Sequence, residues 1–282
     1  MTISAKVIAH SRAEGCPDLI TLQVRFPWWL LPEMNTHRTF SRNYGSTRAI
    51  PISKLIDEAM NDPALPEVWT SHKPGMQGGF DLSDTQIEWA EGIFFSARDA
   101  AVAAAKGMLD LGIAKQNANR LLMPFIHVEG IVTATDWQNF FDLRCHPDAD
   151  PTMRALAEAM RDAIEASEPV VLEKGQWHLP YVRQSDSDWI DPTMRALAPE
   201  IVANRLAMIS AARCARVSYL NHDGSDPDIQ KDLTLAERLL SSKHMSPSEH
   251  QATPDPGGID VFGWGNFTGW AQHRKMLEAP DR

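Results

Sequence analysis

The sequence predicts an α+β protein, with a central sheet wrapped by helices. Two observations point there: a β-branched and aromatic run near the start, and a succession of capped helical patterns through the middle of the chain. At 282 residues, with 43% hydrophobic and 23% charged residues, the chain is long enough to bury one large core or two modest ones. No segment has the length or low complexity of a domain linker, so residues 1–282 are expected to form a single domain.

Residues 19–31 (LITLQVRFPWWLL) read as a strand with partial alternation, with Pro27 at an edge or bulged position. Pro51 followed by Ile52, Leu55, Ile56 and Ala59 has the helical period, with proline in the first turn. Residues 81–112 form a long Ala-rich helical stretch opened by Asp81 or Ser83 and closed near Gly112. A third helix begins near Thr135 or Asp136 and carries Trp137, Phe140, Phe141 and Arg144. Asp150-Pro151, a cap with proline at the first helical position, opens a fourth that runs to about Ser167. Pro199 opens another to about Val217, and residues 233–243 form a shorter one that ends before Pro247. The Gly- and Pro-rich segments 61–80 and 251–266 read as loops. The stretch Asp150–Ala157 recurs as Asp191–Ala198; two copies are too few for a solenoid, and the repeat carries no assigned function.

Charge narrows the partners. With 27 Lys and Arg against 37 Asp and Glu the net charge is -10, which opposes non-specific attachment to nucleic acid or to an anionic membrane. Three scattered cysteines, at 16, 145 and 214, suit a reducing cytosol and neither a disulfide framework nor a Cys-x-x-Cys metal site. The apolar run Phe26–Pro32 is far short of the roughly 18 residues of a membrane span, so a soluble, cytoplasmic protein is expected.

The densest polar cluster is Asn35–Arg48, with His37, Arg38, Ser41, Arg42, Asn43, Ser46 and Arg48. If the segment is helical, Arg38 and Arg42 share a face and repel unless an anion sits between them. Arginine forks with Ser and Asn donors are what a small phosphorylated ligand needs; a solvated basic face with surface salt bridges is the equally weighted alternative. A second cluster is His244-Met-Ser246-Pro-Ser-Glu249-His250. Pro247 prevents a continuous helix from holding both histidines on one face, so a zinc site is not expected. A turn in which Ser246 and Glu249 bond backbone amides explains the pattern instead. Arg120 and Arg144 are cations in apolar surroundings, where pairing with a carboxylate is the usual arrangement and a ligand role the less common one. Cys145-His146 offers a thiol beside a base, but adjacent helical residues point about 100° apart, which favours an inert cysteine.

Taken together these blocks resemble the flavin-dependent thymidylate synthase family, whose signature is Arg-His-Arg, seven residues, then Ser. Here Thr36-His37-Arg38 is followed after seven residues by Ser46, within Ser41-x-Asn43-x-x-Ser46-x-Arg48. Ala215-Arg216-Val217-Ser218-Tyr219 is similar to the family's Ala-Arg-Val-Ser block, and His244-x-Ser246-Pro-x-Glu249-His250 to its His-x-Ser/Thr-Pro-Phe-Glu-His block. Arg120-x-x-x-Pro124 and the stretch from Thr133 to Arg144 resemble its later arginine-bearing helix. The order differs, because the second and third blocks precede the signature in the family and follow it here. The chain therefore reads as a circular permutation, of a kind associated with viruses of bacteria. Thr36 stands for the first signature Arg, Tyr44 for a Glu, Ala49 for a Tyr, Ser248 for the Phe, Thr133-Ala-Thr135 for Asn-x-Arg, and Glu33 falls near a substrate-contacting Gln.

What the resemblance implies is a mostly antiparallel sheet and an FAD-dependent transfer of one carbon from methylenetetrahydrofolate to pyrimidine C5 of a nucleoside monophosphate. NADPH would be the reductant, and dUMP to dTMP the reaction. His37, Arg38, Asn43, Asn139, Ser218, Ser246 and Glu249 would surround FAD. Glu33, Ser46, Arg48, Arg120 and Arg144 would hold the nucleotide, and Ser46, Arg144 and His244 would serve catalysis, with no metal and no enzyme thiol. The family's homotetramers share their sites between subunits. A hydroxymethylase acting on dUMP or dCMP and a non-catalytic nucleotide-binding protein are the rival readings. Gln272 and Arg274 stand as residues able to compensate for missing signature positions.

Overall fold

The computed structural model describes residues 3–74, 78–190, 196–221, 224–257 and 265–278. Its centre is a five-stranded sheet in the order β3-β4-β2-β1-β5, formed by β1 (Ser4–Arg12), β2 (Leu19–Pro27), β3 (Ser41–Tyr44), β4 (His127–Ala134) and β5 (Val170–Val171). All neighbours are antiparallel except β1 and β5, which run parallel. The expected α+β class and mostly antiparallel sheet are thus present.

One face of the sheet is closed by α5 (Gln138–Arg144) and α6 (Pro151–Glu165). Ile20, Leu22, Val24 and Phe26 of β2 pack with Phe140 of α5 and with Met153, Leu156 and Met160 of α6. Each such side chain, once fully buried, contributes about 1.5–3 kcal/mol. Asp150 caps α6 as its sequence suggests, accepting from the amides of Thr152 and Met153. A second apolar cluster joins α2 (Ile52–Asn61), α3 (Asp84–Asp110) and α4 (Lys115–Asn119) through Leu55, Ala59, Val102, Ala105 and Ala118. Ser83 and Gln86 form a capping box at the start of α3. Beyond α7 (Gln184–Asp188), α8 (Pro199–Arg216) packs against α9 (Ile229–Ser241). A two-stranded sheet of β6 (Ala252–Pro254) and β7 (Trp270–Gln272) precedes α10 (His273–Glu278). Among the described residues no helix is long and apolar enough to cross a membrane.

Several expectations need correction. The strand expected at residues 19–31 is β2 and stops at Pro27, and Trp28–Leu30 form a 3₁₀ turn leading into the short helix α1 (Leu31–Met34). Pro27 is not on an edge strand; it is the last residue of an interior strand, where its missing N–H removes no bond from the middle of the ladder. The segment around Arg42 is strand β3 and not helix, so Arg38 and Arg42 share no helical face. Pairing with β4 overrides the polar composition. The third helix starts only at Gln138, because Trp137 Nε1 turns back to the Ala134 carbonyl at 3.1 Å. α9 starts four residues before the predicted point, capped by Asp228. The expected loop at 251–266 contains strand β6. The second repeat copy falls largely at 191–195, outside the described residues.

Candidate active site

β3 is the pivot of the site. Its partner β4 carries Gly130 opposite Tyr44, and a Cβ there would lie 2.1 Å from the Tyr44 ring, so glycine is what lets the ring lie flat on the sheet. From β3 the Asn43 amide donates to the Cys214 carbonyl at the end of α8 at 2.9 Å, and its oxygen accepts from Ser246 Oγ at 3.4 Å. Segments nearly 200 residues apart in sequence thereby meet on one strand. Ser246 also approaches His244 Nε2 at 3.5 Å.

Beside this junction lies a cleft of about 620 Å³. Asn43, Tyr44, Ser46, Ala215, Arg216, Val217 and His244 line it, together with apolar Trp28, Leu55, Leu235 and Leu239. Apolar walls with a few placed donors are the make-up of a small-molecule or cofactor site. At its floor Glu58 Oε1 accepts from Arg25 Nη2 and from the backbone N–H of His127, both at 2.9 Å. Burial pushes the Glu58 carboxyl up, but the His127 hydrogen bonds and the Arg25 charge outweigh it and hold the carboxyl below its usual range.

Arg144 lies in a different cluster. Its Nε donates to His37 Nε2 at 3.0 Å, Nη1 to Glu33 Oε2 at 3.0 Å, and Nη2 to Thr36 Oγ1 at 3.4 Å. Burial, reinforced by the charges of Arg144 and Arg42, pushes the His37 pKa down to about 4; the ring is neutral and Nε2 can accept. Burial also raises Glu33 above the usual carboxylate range, against the pull of Arg144.

The predicted residues thus divide. Asn43, Ser46 and His244 border the cleft, and Ser246 adjoins it through Asn43. Glu33, His37 and Arg144 meet one another but do not line the cleft. Arg38, Arg48, Arg120 and Asn139 are exposed, and Arg38, Arg48 and Arg120 make no ion pair among the described residues. Arg144 therefore has the carboxylate partner expected of such an arginine, whereas Arg120 does not. Ser218 accepts from the Leu220 amide at 3.0 Å. Ser246 and Glu249 do not cap a turn as expected. Residues Ser246–Glu249 form a 3₁₀ turn without a side-chain cap, and Glu249 is engaged by Arg274. Gln272, buried on β7, donates to Ser41 Oγ at 3.1 Å and to the Glu249 carbonyl at 2.8 Å. Gln272 and Arg274 therefore brace the strand and turn that carry the signature.

Two features were not read from the sequence. Arg25, Glu58 and His127 form the cleft floor from three separate elements, with no local signal. Arg216, inside the Ala-Arg-Val-Ser block, lines the cleft and holds Asp232, and two arginines in the last turn of an Ala-rich helix were an available signal.

The family described as thymidylate synthase complementing protein matches residues 18–170, more than half of the chain. The Ala-Arg-Val-Ser and His-x-Ser-Pro-x-Glu-His blocks lie beyond that range. No curated protein matches the chain. Among solved structures it is similar to a UMP/dUMP methylase, PolB from Streptomyces cacaoi. In the form bound with 5-Br UMP the identity is 18%, covering 57% of this chain and 88% of that one, with a TM-score of 0.47. In the form bound with 5-Br dUMP it is 17%, covering 57% and 89%, again with 0.47. The chain belongs to the thymidylate synthase complementing protein family and is an enzyme of the flavin-dependent thymidylate synthase type.

Proposed function

We propose that the protein transfers a one-carbon unit from methylenetetrahydrofolate to C5 of a pyrimidine nucleoside monophosphate, converting dUMP to dTMP with FAD as cofactor and NADPH as reductant. The observation that carries this reading is the junction on β3. Asn43 of the signature contacts the Cys214 carbonyl near the end of α8, four residues before Ser218, and also Ser246, which supports a reading in which blocks in permuted chain order serve one site. Circular permutation is tolerated when the elements still meet in space.

The fit of FAD is supported by the cleft's apolar walls and by the donors and acceptors Asn43, Ser46 and His244 on its rim. Asn43 and Ser246 would hold the flavin there, with Ser218 and Glu249 on the adjoining turns. Once reduced by NADPH, the bound flavin would supply the hydride that completes the methyl group. His37, Arg38 and Asn139 stand apart from the cleft, which supports a site completed by a second copy in a homo-oligomer; exposed Phe80, Trp89 and Ile93 offer apolar surface for such contact.

The chain's own part is binding and charge. Arg48 and Arg120, exposed and without a carboxylate partner among the described residues, suit the nucleotide phosphate, with Ser46 beside Arg48. Arg144 would exchange Glu33 for the pyrimidine carbonyl, where negative charge develops as C5 becomes nucleophilic. No thiolate is needed: burial raises the pKa of Cys16 and Cys145 and pushes that of Cys214 up to about 12. Glu33, an acceptor only when ionised, favours an amino-bearing base and makes dCMP the second substrate to examine.

Size-exclusion chromatography with detection at the flavin band tests the reading. An oligomer carrying FAD that NADPH bleaches is expected; a protein that takes up no FAD at high concentration refutes it.

A further inference from the structure

Arg213 and Arg216 lie one turn apart at the end of α8, and both hold Asp232, yet they differ in what remains unused. Arg213 gives Nε to Asp232, Nη1 to Asp186 and the Tyr181 carbonyl, and Nη2 to Asp186. Arg216 gives only Nη1 to Asp232 Oδ1, at 2.6 Å. Its Nε and Nη2 have no hydrogen-bond partner among the described residues, although the side chain is only 8% exposed. Those two N–H groups form one edge of the guanidinium, with parallel donors that grip two oxygens of a carboxylate or phosphate. Arg12 in this same chain uses that edge on Asp18, at 2.8 and 2.6 Å. A buried donor pair without an acceptor is costly, which makes the empty fork of Arg216 a place where an acceptor belongs.

The position of the fork suggests the occupant. Arg216 and Leu235 stand in the wall shared by the main cleft and an open groove of about 560 Å³ along α9. That groove is lined further by Asp228, Gln230, Lys231, Thr234 and Arg238. Asp228 is committed to the amides that open α9 and lies 4.0 Å from Lys231, while Arg238 makes no ion pair among the described residues. The buried group Arg213, Arg216, Asp186 and Asp232 balances two cations against two anions, and in the groove Lys231 and Arg238 outnumber Asp228, so the local sign is positive on a chain of net charge -10.

We propose that Arg216, with Lys231 and Arg238 beyond it, forms an oxyanion subsite continuous with the cleft, which takes a phosphoryl or carboxylate group at the far end of a ligand extending along α9. The fork and groove are properties of the chain itself, so the proposal does not depend on which molecule fills the cleft.

Calorimetric titration of the full chain at low salt, with inorganic pyrophosphate in one arm and triglutamate in the other, tests it. Binding of pyrophosphate identifies a phosphoryl ligand, and binding of triglutamate a carboxylate one. Arg216→Lys keeps a cation for Asp232 but loses the fork, and should weaken the bound probe about tenfold or more. Lys231→Glu with Arg238→Glu, at the surface, should weaken it similarly without changing Tm. If Arg216→Lys does not fold, the arginine Nε–H resonances of the wild-type protein decide: a shifted Arg216 signal on adding the probe supports the site, and an unshifted one overturns it. Failure of both probes to bind at millimolar concentration, or equal affinity in wild type and Arg216→Lys, also overturns it.

Discussion

Arg213 and Arg144 each hold three or more partners, but in surroundings that assign them opposite tasks. Around Arg213 the side chains of both carboxylate partners are at most 5% exposed, and its hydrogen bonds go to groups fixed by α7, α9 and the turn at Tyr181. Around Arg144 the acceptors are a carboxylate whose side chain is 36% exposed, a neutral imidazole and a threonine hydroxyl. A ligand cannot displace the first set without unfolding the end of α8, whereas it can replace the second set bond for bond. The difference separates an arginine that builds the site from one that is available to use it.

The comparison breaks most visibly at Arg213. Arg213→Ala leaves Asp232 with Arg216 and takes from buried Asp186 its guanidinium partner, and should cost about 3–5 kcal/mol of stability, read by chemical denaturation. A loss below 1 kcal/mol would mean that the cluster is not structural. Arg144→Ala should instead lower turnover by about 3 kcal/mol in activation free energy, more than a hundredfold, with a far smaller change in Tm. Its neighbour Cys145→Ser should keep most activity, because the Cys145 thiol is raised by burial and is not a thiolate. A dead but folded Cys145→Ser variant, with a covalent nucleotide adduct in the wild type, would reverse this assignment.

Acid sharpens the contrast further. Ser11, His178, Thr21, Thr133 and His250 form one buried chain of hydrogen bonds at 2.7–2.8 Å behind the site. Burial pushes both histidines down to about 3, with His250 and His10 adding to the effect on His178. The unfolded chain protonates these rings near pH 6.5 and the folded one does not, so the unfolded state binds more protons between pH 6.5 and about 3. Stability is full above pH 6.5 and falls as pH is lowered through that window. His178→Asn should flatten the decline, and Arg144→Ala should flatten it less, by relieving only the part of the His37 depression that the Arg144 charge adds to burial.

The helices were legible because their signals are local. Asp150 and Ser83 at caps and Pro199 in a first turn each sit within one turn of what they terminate. The strands were less so. β4 is buried along nearly its whole length and shows no alternation, and β3 is short and polar, so only their pairing reveals them. The same limit applied to chemistry. The signature around His37 and Ser46 was readable as a pattern, but the fact that Glu33 and Thr36 would close on Arg144, more than 100 residues away, is a product of packing α5 against the sheet. Arg274 bracing Glu249 and Gln272 bracing Ser41 are likewise contacts that no local spacing encodes.

The central claim is the transfer itself, and the mass of the nucleotide tests it most directly. After incubation of dUMP, and separately dCMP, with methylenetetrahydrofolate, FAD and NADPH, the account predicts a dUMP product heavier by CH2, absent with Arg144→Ala. A gain of CH2O would show water capturing the intermediate in place of hydride, and an unchanged mass for both nucleotides in the presence of bound FAD would contradict the assignment.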